Sequence, residues 1–320
     1  MDELPACVTE FLHDMAAVRR LSPLSVTAYR RDLQRLAQLC GADALPDLGP
    51  ADIRRAAGRL HAQGLAPSSV ARMLSSWRAF YRFRALRQAG SSNPALGVRG
   101  PRRPQRLPKA LAPDQAVALA DHRTGTDPLA LRDHAIVELM YSSGLRLSEL
   151  VALDCHWFGA ESGQPASLGW IDLAQRELTV TGKGSKRRTV PVGRQAVDAL
   201  QAWLMARAGC AGAQQRALFV SRNGARLSPR SVQARIGLLA TKAGLGVHVH
   251  PHVLRHSMAS HLLQSSGDLR AVQELLGHCS ISTTQIYTRL DWQHLAKAYD
   301  ACHPRARRLP PVVPPSNKKD

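Results

Sequence analysis

The sequence lacks any pattern that would pair its cysteines or carry it into a membrane. Its six cysteines are scattered and include no CxxC pair. We interpret them as reduced thiols, because short secreted folds cluster their cysteines in a disulfide framework. Nowhere are about 18 consecutive residues apolar, and the N-terminus lacks the basic stretch and apolar run of a signal peptide. We therefore expect a cytoplasmic protein without a membrane span.

Acidic residues are also scarce. The 320 residues contain 43 Lys and Arg against 24 Asp and Glu, which gives a formal net charge of +19. Between Ala56 and Leu107 there is no Lys, Asp or Glu, although Arg recurs throughout. Such a charge favours a polyanionic partner, and nucleic acid before any other. An Arg-rich genome composition would produce the same excess, so the charge leaves the question open.

Residues 1–90 predict an all-helical domain. Four segments carry apolar residues at helical spacing, and no strand pattern interrupts them. The second segment follows Ser25, the third lies between Pro50 and Gly64, and the fourth runs from Ser68 to Gly90. In the fourth, four arginines alternate with the apolar positions: Arg72, Arg78, Arg82 and Arg84. We expect a DNA-binding domain with a basic surface.

The rest of the chain predicts a linker and a mixed α/β domain. Residues 91–109 are rich in Pro, Gly and Arg, cannot propagate a helix and have few apolar residues to pack. The second domain covers 110–304. Its three predicted strands are 170–173, 177–181 and 188–192, and the last two are joined by a turn at 182–185. The Pro-rich tail, 305–320, is expected to be disordered. The predicted fold is mainly α with a small antiparallel sheet.

Three clusters in the second domain carry side chains suited to chemistry. The candidate residues are Arg146, Lys183, His252, Arg255, His278 and Tyr287. Each has an ordinary explanation when taken alone: Arg146 would pair with Glu149, Lys183 would lie in a solvated turn, and the other side chains would serve packing or helix ends. The functional interpretation rests on their joint occurrence.

Together these residue types suit a displacement at a phosphodiester. The transition state carries about one negative charge more than the diester, and the guanidinium forks of Arg146 and Arg255 can match it. A tyrosine hydroxyl, with a pKa of about 10, becomes a nucleophile when cations stabilise the phenolate or a histidine such as His252 takes its proton. Lys183, on a hairpin turn, suits protonation of the leaving 5' oxygen.

A metal site is an alternative, because His252 and His256 lie four residues apart on one predicted helix. Further histidines between residues 248 and 261 enlarge this cluster. Zinc sites of this spacing usually need a nearby carboxylate, and the segment has no acidic residue before Asp268. We expect neither a metal nor another cofactor. A zinc hydrolase and a non-catalytic DNA-binding protein stay open as alternatives.

The ordered set of six residues resembles the tyrosine recombinase (phage integrase) family. Segments 266–278 and 282–287 are similar to those of the bacterial Xer recombinases, and the ending, 293–306, is similar to their XerC group. The resemblance spans about residues 5–306. Two departures are a long segment between Asp154 and Gly169 and the extra tail, and neither includes a candidate catalytic position.

The resemblance implies a site-specific recombinase that resolves chromosome dimers at a dif-type site in double-stranded DNA during cell division. Tyr287 would attack the phosphate to give a 3'-phosphotyrosine and a free 5'-hydroxyl, so that no ATP or metal is required, and His278 would complete the catalytic set. The implied partners are a XerD-like recombinase in a heterotetramer and a DNA translocase of the FtsK type. The two domains would form a C-shaped clamp on the duplex. An integron, phage or transposon integrase of the same mechanism is the alternative.

Overall fold

The computed structural model describes residues 4–88, 92–101, 110–161, 164–182, 186–212 and 215–276. The chain divides into two units, Met1–Arg106 and Leu107–Asp320, each with its own hydrophobic core. Residues 102–109 of the predicted linker, the helices predicted near Ser282 and Asp291, and the tail at 305–320 lie outside the described residues.

The first unit is helical, as predicted. Its elements are α1 (Ala6–His13), extended by a π-helical turn (Asp14–Val18), α2 (Pro23–Cys40), a 3-10 turn (Leu45–Asp47), α3 (Pro50–Ala62) and α4 (Pro67–Arg87). The predicted apolar stripes face its core, where Phe11, Leu36 and Trp77 are fully buried. Helix α2 begins two residues before Ser25, because the Ser22 hydroxyl accepts the Ser25 N–H and caps the first turn.

The segment after α4 packs on the first unit. Ala95 and Val98 are buried in its core, and Arg78 of α4 donates hydrogen bonds to their carbonyl oxygens at 3.0 and 2.6 Å. The prediction that residues 91–109 have too few apolar residues to pack is therefore wrong for residues 92–101. Two small apolar side chains suffice there because an arginine satisfies the backbone oxygens buried with them.

Other arginines of α4 also make contacts within the unit. Arg72 pairs with the buried carboxylate of Asp32, and Arg84 donates to the carbonyl oxygen of Pro46. Arg82 is exposed. The positive charge predicted for a basic surface thus partly serves to hold α4 against its neighbours.

The second unit surrounds a small sheet with helices. The helices are α5 (Pro113–Asp121), α6 (Pro128–Ser143), α7 (Leu147–Ala152), α8 (Arg194–Arg207), α9 (Pro229–Lys242), α10 (Pro251–Ser266) and α11 (Leu269–Leu276). The strands, in sheet order, are β1 (Leu153–Asp154), β2 (Gly169–Asp172), β3 (Glu177–Thr181) and β4 (Arg187–Pro191).

The predicted fold class, mainly α with a small sheet, is confirmed. Strands β2, β3 and β4 are antiparallel, as expected, but β1 runs parallel to β2 and makes the sheet mixed. The two residues of β1 are too few to show the alternation by which a strand is recognised in a sequence. Helix α6 lies at the centre of this unit and packs against α8 and α10.

A buried hydrogen-bonded chain fastens the start of the second unit to α10. The Leu111 N–H donates to the Ser257 hydroxyl at 2.8 Å, and the Leu111 carbonyl lies 2.9 Å from His261 Nε2. The other ring nitrogen of His261 lies 2.9 Å from the Tyr141 hydroxyl. Because a carbonyl only accepts, Nε2 carries a proton, and because burial lowers the pKa of His261, Nδ1 is unprotonated at neutral pH and accepts from the Tyr141 hydroxyl. The arrangement therefore uses a neutral imidazole.

We expect His261 to make the second unit less stable in mild acid. Burial lowers the pKa of His261 below its ordinary value. As the pH falls through about 6.5, the unfolded chain therefore binds a proton that the native imidazole resists, and stability is lost. Urea unfolding at about pH 7.5 and about pH 5.5 should show a smaller loss in His261→Gln than in the wild type. An equal loss in both would contradict the assignment.

Candidate active site

A glycine between α6 and α7 places Arg146. Gly144 ends α6 in the left-handed conformation, with φ of 56°, which favours glycine. A Cβ there would also displace the terminal methyl group of Met258, which packs against this turn. The predicted helix from residue 144 begins instead at Leu147, and Arg146 is its N-cap residue. Arg146 thus lies at the junction of two helices.

A buried glutamate holds two arginines together. Glu149 Oε2 accepts the backbone N–H of Arg146 at 2.8 Å, and Oε1 accepts from the Arg146 guanidinium at 2.9 Å. Arg188, on β4, donates to both oxygens at 2.8 and 2.9 Å. Burial alone would raise the pKa of Glu149, but the hydrogen bonds and charges of Arg188 and Arg146 hold that pKa below its ordinary value. Glu149 is therefore an anion that fixes both cations.

Arg255 lies in the same charged cluster. Its side chain is buried and donates to the carbonyl oxygen of Gly144 and, at 2.6 Å, to that of Leu276. Arg188 Nε donates to the preceding carbonyl, that of Leu275, at 3.1 Å. The carbonyls of Leu275 and Leu276 belong to the last two residues of α11 that the structure describes. Two arginines thus hold the chain at the point that leads to His278.

Arg255 keeps its positive charge despite its burial. Burial lowers its pKa to about 10, the charges of Arg146 and Arg188 contribute in the same direction, and Glu149 opposes them. A pKa of about 10 leaves the guanidinium protonated at neutral pH. The described part of the site therefore holds three arginine cations against one carboxylate, a net of two positive charges.

His252 lies in the first turn of α10, one turn before Arg255, and is exposed. Its ring centroid is 6.0 Å from that of His250, which is 5.8 Å from that of His248. Burial, followed by the charges of His252 and His248, lowers the pKa of His250. Within the described ranges, no group of three or more His, Cys, Asp or Glu side chains is arranged to hold a metal ion.

The end of β3 approaches the arginines. A Cβ at Gly182 would lie 3.5 Å from Arg188 Nη1 and 3.8 Å from Arg146 Nη1. The turn predicted to carry Lys183 therefore leaves the sheet beside the cluster. Lys183 itself, with His278 and Tyr287, lies outside the described residues. Of the six predicted residues, the structure places three, and it brings Arg146 and Arg255 together with His252 one helical turn away.

No sequence pattern indicated a role for Arg188, and Glu149 was expected only as an ordinary partner of Arg146. The signal for Glu149 was its position three residues after Arg146 at a helix start, where a glutamate reaches back to the N-cap N–H. Arg188 has no such local signal, because its contact with Glu149 joins a strand to a helix across 39 residues of sequence.

Comparisons with known protein families give one match in each of the two units. Residues 109–294 match the family model described as "Phage integrase family", and residues 8–88 match "Phage integrase, N-terminal SAM-like domain". The chain belongs to the phage integrase family. Similar relatives include Tyrosine recombinase XerC 1 of Ralstonia nicotianae, 52% identical with 93% of each chain covered, and Tyrosine recombinase XerC of Alcanivorax borkumensis, 48% identical with 94% of each covered.

Solved structures support the fold. The Tn1549 transposon integrase in complex with transposon right end DNA has a TM-score of 0.66 at 17% identity, covering 91% of this chain and 98% of that one. XerH site-specific recombinase bound to palindromic difH substrate has a TM-score of 0.60 at 18% identity, with 92% and 84% covered.

This phage integrase family member is a XerC-like site-specific tyrosine recombinase, an enzyme that cuts and rejoins DNA. The family, fold and enzyme class predicted from the sequence are thereby confirmed. No helix in the described part of the chain is long and apolar enough to cross a membrane.

Proposed function

We propose that this XerC-like recombinase resolves chromosome dimers at a dif-type site in the cytoplasm during cell division. It acts with a XerD-like recombinase in a heterotetramer on double-stranded DNA, under the control of an FtsK-type translocase. The observation that carries this proposal is the similarity to relatives named XerC at about half identity over more than nine-tenths of the chain.

The charge of the site supports phosphodiester chemistry. Arg146, Arg188 and Arg255 against Glu149 leave two net positive charges. A phosphodiester carries one negative charge and its pentacoordinate transition state about two, so the cluster matches the transition state better than the bound substrate. Because the cations are fixed before DNA arrives, little reorganisation is needed during the reaction.

We assign the remaining steps to the other predicted residues. Tyr287 attacks the phosphorus, His252 takes the phenolic proton, and Lys183 protonates the leaving 5' oxygen. His278, two residues beyond the carbonyl that Arg255 holds, donates a hydrogen bond to a nonbridging oxygen. The bond to phosphorus passes from the 5' oxygen to the tyrosine oxygen and later to the 5'-hydroxyl of the partner strand. The energy stays in the covalent link, so neither ATP nor a metal is required.

A nicked suicide duplex tests the proposed function. On a dif-type duplex in EDTA, the chain should form a covalent complex that survives denaturation, and a scrambled duplex of equal length should give none. Full strand exchange between two dif-type duplexes should require the XerD-like partner. Exchange by the chain alone, or cleavage only at a mobile-element site, would favour an integron, phage or transposon integrase instead.

The role of Lys183 makes a separate prediction. Lys183→Ala should cleave an ordinary site poorly, because the 5' oxygen leaves without a proton donor. It should recover most of its rate on DNA with a 5'-bridging phosphorothiolate, since sulfur leaves unprotonated. Arg146→Ala is the comparison and should recover much less, because Arg146 stabilises charge on the nonbridging oxygens. Equal recovery of the two variants would remove this distinction between their roles.

A further inference from the structure

The long segment between β1 and β2 is an ordered hairpin, here called the arm (residues 155–161 and 164–168). The Ser167 N–H donates to the Phe158 carbonyl at 3.0 Å, and the Phe158 N–H donates to the Ser167 hydroxyl at 3.0 Å. Glu161 and Gln164 exchange backbone hydrogen bonds of 3.1 and 2.9 Å. These contacts hold the two halves of the arm against each other, and Glu161 and Gln164 form an antiparallel bridge.

The arm is fastened to the domain at two places. The Arg216 guanidinium lies 4.6 Å from the Phe158 ring centroid and pairs with Glu161 at 2.5 Å. The buried Ser167 hydroxyl donates to the Asp154 carboxylate at 2.7 Å. These contacts fix the hairpin at its base and near its tip, so the side chains along it occupy defined positions.

The arm nevertheless leaves two large apolar side chains in solvent. Trp157 is 54% exposed and Leu168 is 59% exposed. One edge of the indole covers Gly159, where a Cβ would lie 3.4 Å from Trp157 Cη2. An exposed tryptophan and an exposed leucine on one anchored segment are apolar side chains available to a partner.

The position of the arm points to that partner. Gly169, which follows the arm, pairs with Val180 near the end of β3, and a Cβ at Gly182, two residues further, would lie 3.8 Å from Arg146 Nη1. Antiparallel pairing therefore brings Leu168, the residue before Gly169, toward the end of β3 that carries Gly182. The C-terminal end of the arm therefore joins β2 at the end of the sheet that carries the arginine cluster. Arg187, on the same end, lies 5.7 Å from the Trp170 ring centroid.

We propose that the arm contacts duplex DNA beside the cleaved phosphate, with Trp157 and Leu168 against the wall of a groove. The proposal rests on the proposed function, because DNA occupies the arginine cluster only if that cluster is the catalytic site. Apolar and aromatic side chains next to phosphate-binding arginines are the kind that wedge into grooves or stack on bases. The arm continues the DNA-binding surface away from the reacting atoms.

The test compares DNA binding by single protomers. The full-length Trp157→Ser/Leu168→Ser variant should bind a dif-type half-site duplex about tenfold more weakly than the wild type in fluorescence anisotropy. Because both side chains are exposed, the melting temperature should not change. Met205→Ser, on α8, and Leu238→Ser, on α9, replace exposed apolar residues of the same unit and should bind the half-site like the wild type.

The outcomes separate a DNA contact from a protein contact. If the double variant binds the half-site normally but loses cooperative binding of a second protomer, the arm contacts protein and the proposal is wrong. Normal behaviour in both assays also overturns it. Covalent capture of the wild type on the nicked duplex tests the proposed function independently. If capture succeeds while the double variant binds the half-site normally, only the arm proposal fails.

Discussion

Replacing Tyr287 by phenylalanine is expected to abolish the covalent protein–DNA product. The substitution removes one oxygen and leaves the ring, so the chain keeps its charge and its packing but has no atom to bond to phosphorus. The cleavage rate should fall by about four orders of magnitude or more, and the affinity for a dif-type duplex should stay near that of the wild type. Denaturing electrophoresis of the nicked suicide substrate measures the first effect, and a gel shift measures the second.

The matched control is Tyr299→Phe, the same chemical change at another tyrosine near the C-terminus. It should still form the covalent complex. If Tyr287→Phe formed the covalent product, or if only Tyr299→Phe failed to form it, the assignment of Tyr287 as the nucleophile would be wrong.

Local patterns in the sequence were sufficient for most of the fold. Helices such as α2 and α4 show apolar residues at helical spacing, and β3 lies at the predicted residues, 177–181. The predictions that were wrong concern segments whose structure depends on tertiary contacts. Residues 92–101 pack because Arg78 reaches their carbonyls, and β1 forms because β2 offers it a parallel partner. Neither contact can be predicted from the pattern of residues in a short segment of the sequence.

For the candidate site, too, the residues found from the sequence belong to a motif, and the one that was missed depends on a tertiary contact. Arg146 and Arg255 were found as members of a motif, and the structure brings them into one charged cluster. Arg188 was missed because its partner Glu149 lies on another element. Lys183, His278 and Tyr287 stay predictions. The sequence thus identified groups that would react but not the buried carboxylate that positions them.

Glu149→Gln is expected to impair both the stability of the second unit and catalysis. The glutamine keeps the shape but turns an N–H donor toward guanidinium groups that are donors themselves, so that Arg146 and Arg188 lose their common anion. Removing one partner from a buried ion pair costs about 3–5 kcal/mol of unfolding free energy. Cleavage should fall by about two to three orders of magnitude, because Arg146 is no longer held for the phosphate.

Urea unfolding and single-turnover cleavage at saturating DNA measure these two effects separately. The stability difference should also depend on pH. The pKa of Glu149 is lowered in the folded chain, so the carboxylate contributes stability above its unfolded pKa of about 4.3, and this contribution is lost as the pH falls through the folded pKa. The wild type and the variant should therefore converge in acid.

Glu274→Gln provides the control, because Glu274 pairs with Arg270 on the surface of α11 at 3.2 Å. An exposed pair four residues apart contributes at most about 0.5 kcal/mol, so this variant should unfold and cleave like the wild type. If Glu149→Gln matched it in both assays, Arg146 and Arg188 would keep their positions without the buried anion. If only stability fell, with single-turnover cleavage unchanged at saturating DNA, Glu149 would serve the fold alone. If the cleavage rate falls by more than the fraction of folded protein does, Glu149 acts by positioning Arg146.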